Sequence, residues 1–154
     1  MDGATSLVHA TCIAVDGRAA LLTGPSGAGK SDLALRCIGV NHIWADRALQ
    51  ARLVADDQVI LERRGTRIAA RSPSAIAGRL EVRGLGIIDL PSVPEAWLGL
   101  IVELVDAGKI ERLPDLDVRI QVLGLDLPAL RVAPFQASAP LKVLLRLAAG
   151  RQAL

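Results

Sequence analysis

The octapeptide Gly24-Pro25-Ser26-Gly27-Ala28-Gly29-Lys30-Ser31 constrains this chain more than any other feature. It satisfies the pattern G-x-x-x-x-G-K-[ST] in full. Arg18 to Thr23, just before it, is an apolar run centred on Ala19-Ala20-Leu21-Leu22, which predicts a strand buried on both faces. Lys30 to Val40, just after it, places Leu33, Ala34, Cys37 and Ile38 at helical spacing. A strand running into a glycine-rich loop and a helix running out brings backbone N–H groups together around an anion. Gly24, Gly27 and Gly29 let the main chain wrap closely, and the helix N-terminus adds its positive end. Lys30 supplies a point charge for β- and γ-phosphates, and Ser31 a hydroxyl for Mg²⁺. A nucleoside triphosphate site with Mg²⁺ is therefore expected at residues 24–31.

The rest of the chain sets the fold around this loop. Leu7 to Val15 reads as a strand, and Asp16-Gly17 as a hairpin turn into Arg18–Thr23. Arg52 to Ala55 is a short strand ending at Asp56-Asp57. Val59–Glu62 and Thr66–Ala70 form a second hairpin around Arg64-Gly65. Ser74 is placed to cap a short helix through Leu80. Gly86–Leu90, Leu98–Val105, Val118–Val122 and Leu127–Val132 are further strands, and Gly108–Asp115 is a polar connector. Pro140 suits a first helical turn, and Leu141, Leu144, Leu145 and Ala148 mark the apolar face of a final helix. Asn41 to Gln50 has no clear pattern. Hairpins combined with few helices predict one α/β domain over residues 1–154, built on a mixed sheet.

Composition narrows the function classes. Hydrophobic residues make up 51% of 154, enough for a packed core. The aromatics are only Trp44, Trp97 and Phe135, so a stacking surface for single-stranded nucleic acid is not expected. The net charge is +2, with basic residues dispersed and no nucleic-acid footprint. Cys12 and Cys37 have no metal-ligand spacing and read as free buried thiols in a reducing compartment. No apolar stretch reaches a membrane span, and Met1 to Leu7 lacks the order of a signal peptide, so a cytoplasmic protein is expected.

The phosphate loop does not name a reaction. The GTPase base-reading pattern Asn-Lys-x-Asp is absent. Three carboxylate positions follow apolar strands and suit a metal or proton-transfer role: Asp56-Asp57, Asp89 and Asp106. Spacing alone does not choose among them. Adjacent carboxylates on an extended chain point to opposite sides, so Asp56 and Asp57 can serve two partners. Glu81 and Arg83 flank Val82 and share a face if that stretch is extended.

These motifs in succession resemble a known family. The loop followed by Asp32, then Leu53-Val54-Ala55-Asp56-Asp57, then Leu80-Glu81-Val82-Arg83-Gly84-Leu85-Gly86-Ile87-Ile88 are similar to the bacterial HPr kinase/phosphorylases. The resemblance runs from about His9 to the final helix and corresponds to that family's C-terminal catalytic domain. It implies a short form in which the family's N-terminal domain has no counterpart, and a fold of the HPr kinase and PEP carboxykinase type. It also implies an ATP- and Mg²⁺-dependent kinase that phosphorylates a serine of HPr, the small phosphocarrier of the sugar phosphotransferase system. Carried over by position, Asp56 resembles the catalytic base with His9 as its partner, and Asp57 is the adjacent acidic member. Glu81 with Ser31 resembles a metal contact, while Arg83 and Arg112 resemble arginines that handle phosphate. A homo-hexamer is implied as well.

The sequence departs from the family at Asp32, where Glu is common, and at Ala10, where Gly is common. The family's Val-x-Pro-Gly-Arg-Asn segment is replaced by Val132-Ala133-Pro134-Phe135-Gln136-Ala137. Without that glycine and arginine, weak or absent phosphorolysis is expected. The alternatives on the residues alone are a small-molecule P-loop kinase or NTPase, and a nucleotide-binding regulatory module without turnover.

Overall fold

A computed structural model describes residues 3–39, 41–44 and 47–149. In chain order the strands are β1 Thr5–His9, β2 Thr11–Val15, β3 Arg18–Thr23, β4 His42–Trp44, β5 Arg47–Leu49, β6 Arg52–Ala55 and β7 Gln58–Arg64. They continue with β8 Arg67–Arg71, β9 Arg79–Val82, β10 Gly86–Asp89, β11 Glu95–Leu104, β12 Arg119–Val122 and β13 Leu125–Val132. The α-helices are α1 Lys30–Gly39 and α2 Ala139–Ala149. The expected mixed α/β domain is present.

One sheet runs in the order β1-β7-β8-β11-β3-β2-β6, with β13 beside β11 and β12 beside β13. β3, β11 and β13 are parallel, and the other pairings are antiparallel. On one side β11 pairs with β3; on the other it divides its length, with Glu95–Trp97 bound to β8 and Ile101–Leu104 bound to β13. The chain passes from β1 into β2 across Ala10, and from β6 into β7 across Asp56-Asp57. Because β2 pairs with β6 and β1 pairs with β7, these two crossings lie side by side and the sheet curls around that corner.

Alternation explains the two-layer core. Ile13, Val15, Ala20, Leu22, Leu100 and Val102 face one way and pack with Leu33 and Cys37 of α1 and Val143, Leu144 and Leu147 of α2. Cys12, Ala14, Ala19 and Leu21 face the other way and pack with Val59, Leu61, Ile68 and Ala70. β2 and β3 are thus apolar on both faces, as their uninterrupted runs predict. Both cysteines are free and buried. Burial raises the Cys12 thiol, and raises the Cys37 thiol to about 12, partly opposed there by the Arg36 charge.

Several expected boundaries differ. The strand expected over 7–15 is broken at Ala10 into β1 and β2. The helix expected from Ser74 to Leu80 is a single 3₁₀ turn over Ser74–Ile76, preceded by Pro73 and without a side-chain cap; Arg79–Val82 is strand. Ala77 is already extended, with φ of −60° and ψ of 136°, and Gly78 follows at φ of 76°, so no α-helix propagates. The residues without a clear pattern contain the short β4–β5 ribbon. Helix α2 buries Ala139, Pro140, Val143, Leu144 and Leu147, whereas Leu141 of the expected face is exposed. Val40, expected to end the first helix, lies outside the described residues.

Candidate active site

The loop from Gly24 to Ser31 leaves the carboxyl end of β3, the edge of the parallel strands where α/β folds bind ligands. Thr23 fastens this edge by donating its hydroxyl to the Val102 carbonyl at 2.9 Å. Gly27 and Gly29 take φ of 83° and 102°, a region that side chains disfavour. At Gly24 a Cβ would lie 3.1 Å from the Cβ of Ala28, so the loop closes on itself only with glycine there. α1 starts at Lys30, with its first N–H groups on the loop. Lys30 is largely buried, and its Nζ donates to the carbonyls of Gly24 (2.6 Å) and Pro25 (3.0 Å). The ammonium is thereby held inside the loop that would carry the phosphates.

The paired carboxylates at the β6–β7 corner face different partners. Asp56, 8% exposed, accepts hydrogen bonds at Oδ1 from the hydroxyls of Ser31 and Thr11, each at 2.8 Å. Its Oδ2 is 3.5 Å from the Glu81 backbone N–H. Asp57 is solvent-exposed and lies 2.7 Å from His9 Nε2. The resemblance paired His9 with Asp56, but the structure pairs it with Asp57. The reason is local: the Gln58 N–H donates to the Asp56 carbonyl at 2.7 Å, closing a three-residue turn with Asp57 at its centre and φ of 67°. That turn swings Asp57 outward to the end of β1 and leaves Asp56 inward, beneath the loop. A non-glycine residue held at positive φ is strained, and such strain concentrates at functional sites.

Glu81 on β9 and Arg83 in the turn after it reach the same cleft, as the extended reading of that stretch requires. The cleft, of about 530 Å³, is lined by loop residues 26, 27 and 29–31 together with His9, Thr11, Asp56, Asp57, Glu81, Arg83 and Phe135. Of the other two carboxylate positions, Asp89 is exposed and paired with Arg79, and Asp106 precedes a 3₁₀ turn at Ala107–Lys109; neither lines the cleft. Arg112 sits on the exposed polar loop after that turn and is not brought to the cleft within the chain. Thr11 was not singled out by sequence. A threonine in a β-branched strand carries no signal of its own, and its partner lies 45 residues away.

The donor set suits a hard cation. Ser31 Oγ, the Asp56 carboxylate and Glu81 present oxygen, and the hydrogen bonds that Asp56 accepts come from hydroxyls and an amide, not from a cation. Among the described residues, no group of three or more His, Cys, Asp or Glu is arranged as a cage. A metal here would draw most of its ligands from phosphate and water, which is how Mg²⁺ is held.

Residues 3–153 match the family model of the HPr Serine kinase C-terminal domain. The chain belongs to this family. It is 37% identical to the HPr kinase/phosphorylase of Bordetella pertussis over 96% of its own length and 44% of that protein's. It is 30% identical to the HPr kinase/phosphorylase of Mycoplasmopsis pulmonis, over 81% of the chain and 41% of the relative. The chain thus spans less than half the length of these relatives. Among solved structures, the Hpr(Ser) kinase/phosphatase from Coxiella burnetii matches with a TM-score of 0.74 and 25% identity, covering 91% of this chain and 92% of that one. That match shows a shared fold over nearly the whole of both chains. Among the described residues, no helix is long and apolar enough to cross a membrane.

Proposed function

We propose that this chain is an ATP- and Mg²⁺-dependent protein-serine kinase whose substrate is the phosphocarrier HPr. The observation that carries the proposal is the hydrogen bond from Ser31, in the phosphate loop, to the buried carboxylate of Asp56. It joins the anion cradle to a proton acceptor in one cleft. Membership of the HPr kinase family supports HPr as the protein that presents the hydroxyl.

In this reading the loop amides and Lys30 hold the triphosphate. Ser31 and Glu81, beside Asp56, hold Mg²⁺, which when bound offsets negative charge on the phosphate oxygens. Asp56 already accepts two hydrogen bonds from hydroxyls at Oδ1, while its Oδ2 faces a distant amide. A substrate serine approaching Oδ2 would give up its proton there as its oxygen attacks the γ-phosphorus in line. The His9–Asp57 pair borders the acceptor, and Arg83 lies where charge on the transferring group can be offset.

Transfer in the reverse direction is expected to be weak. The segment after Pro134 reaches the loop as Phe135, with no arginine to secure a phosphoserine. The deciding experiment incubates the protein with Mg-ATP with and without purified HPr. Phosphoserine on HPr supports the proposal. Hydrolysis indifferent to HPr, or nucleotide binding without turnover, would overturn it. Serine-phosphorylated HPr mixed with excess inorganic phosphate tests the direction, and pyrophosphate formed as fast as the forward reaction would refute the expected asymmetry.

A further inference from the structure

Phe135 is 73% exposed, yet it is the sole phenylalanine in a chain with only three aromatic residues. Its ring lies against the phosphate loop: a Cβ built on Gly29 would be 3.0 Å from both Cε1 and Cζ. The ring therefore covers the residue next to Lys30 while most of its surface stays open to solvent, in the same cleft as the loop. Core packing does not explain this position, because so little of the ring is buried.

The segment that carries the ring is fastened. Arg36 of α1 donates from Nη2 to the Pro134 carbonyl and from Nη1 to the Gln136 carbonyl at 3.3 Å, and its Nε is held by Asp32 at 3.0 Å. Lys142 reaches the Gln136 side chain at 3.1 Å from the other side. Residue 135 is thus clamped between the two helices with its backbone fixed and its side chain projecting.

Topology places that projection. The segment follows β13, two strands along from β3 in the parallel set β3-β11-β13, so it opens at the same carboxyl edge as the phosphate loop. Ligands of α/β sheets lie in the crevice outside this edge, so a nucleotide whose phosphates fill the loop shares its cleft with the Phe135 ring.

We infer that Phe135 is the platform on which the nucleotide base stacks, and hence a residue that sets selection for a nucleoside triphosphate over bare polyphosphate. The inference rests on the reading of residues 24–31 as a triphosphate site and extends it to the other end of the ligand. A flat ring with an open face meets any base π-face, so the platform tolerates adenine and guanine alike.

The test is calorimetric titration of the intact protein with Mg-ATP and, separately, with Mg-tripolyphosphate, which has the phosphates but no base. Phe135→Ala is expected to weaken Mg-ATP by about tenfold, the usual scale of a lost base stack, and to leave tripolyphosphate unchanged. Phe135→Tyr, which keeps the ring, is expected to restore ATP affinity. Equal weakening of both ligands would mean that the ring only props the loop, and would overturn the inference. Unchanged ATP affinity with a raised KM for HPr would give the ring to protein docking, and would overturn it too. If the unaltered protein binds tripolyphosphate as tightly as ATP, the platform alone fails; if it binds neither, the triphosphate site fails with it.

Discussion

Among the described residues, two turns hold an aspartate at positive φ, and they do so for different reasons. Asp16-Gly17 joins β2 to β3 with φ of 50° and 80°, as a two-residue hairpin turn with the twist of its strands requires. Its sequence suits its shape, it is exposed, and beyond reversing the chain its Gly17 carbonyl accepts the Trp97 N–H at 2.9 Å, a structural tie to β11. Asp56-Asp57 joins β6 to β7 with Asp57 at 67° and no glycine to relieve it. Here the sequence does not suit the shape. Position 57 sits in a strained turn, position 56 is a carboxylate taken out of water, and both side chains are directed to named partners. The first turn is what propensity produces; the second is held against propensity by the strands on either side.

The sharpest way to break this comparison is Asp56→Asn. Kinase turnover should fall by roughly 10²-fold or more, the scale of a lost general base, with Mg-ATP binding kept. Phosphorylation of HPr followed by phosphoserine detection measures it, and turnover within threefold of the parent would remove Asp56 from the chemistry. Next in size, Asp57→Gly should cost about tenfold in turnover, because His9 loses its partner beside the acceptor. The same change should leave the midpoint of urea unfolding equal or raised, since glycine relieves the positive φ. A protein that loses stability without losing activity would make the two turns alike.

The mirror experiment is Gly17→Ala. It should destabilise the fold by about 1–2 kcal/mol, the penalty of a Cβ in the left-handed region, and leave kcat unchanged; urea unfolding and the HPr assay together report this. The smallest effect belongs to a third turn, between β7 and β8. There a hydrogen bond from Arg64 holds the Glu62 carboxyl below its ordinary value of 4.5, with the Arg64 and Arg71 charges adding to it and burial opposing. A lowered folded value makes this contribution complete above pH 4.5 and removes it as pH falls through the lower folded value. Glu62→Gln should therefore flatten the acid limb of stability against pH slightly, with no change in turnover.

What the sequence made legible follows the range of the interactions involved. The phosphate loop is local, and its strand–loop–helix setting was readable from the residues next to it. Asp16-Gly17 and the strand Arg52–Ala55 were readable for the same reason. The pairing of His9 with Asp57 spans 48 residues and depends on a curl of the sheet that no local pattern encodes. Of the expected α2 face, Leu144, Leu145 and Ala148 pack on the core and Leu141 does not, because the leucines of this helix satisfy two helical stripes at once. Periodicity cannot choose between the stripe through Leu141 and the one through Pro140, Val143, Leu144 and Leu147 that the core selects. Phe135 was visible as a departure from the family segment, but its seat on Gly29 comes from the Arg36 clamp about a hundred positions away.

The divided strand β11 also bears on how the molecule is made. Thr23, at the entrance to the phosphate loop, is tied to a carbonyl 79 residues later in the chain. As the polypeptide leaves the ribosome, the β2–β3 hairpin and α1 can form early, but the strand that flanks β3 in parallel is not yet synthesised. The anion cradle must wait for it, and β13 must then add on its far side. Non-local parallel pairing of this kind places refolding in the slow range of β-rich domains, milliseconds to seconds. During that interval the apolar edge of β3 is exposed, and the nascent chain lacks the assembled cradle through which the proposed nucleotide would stabilise it.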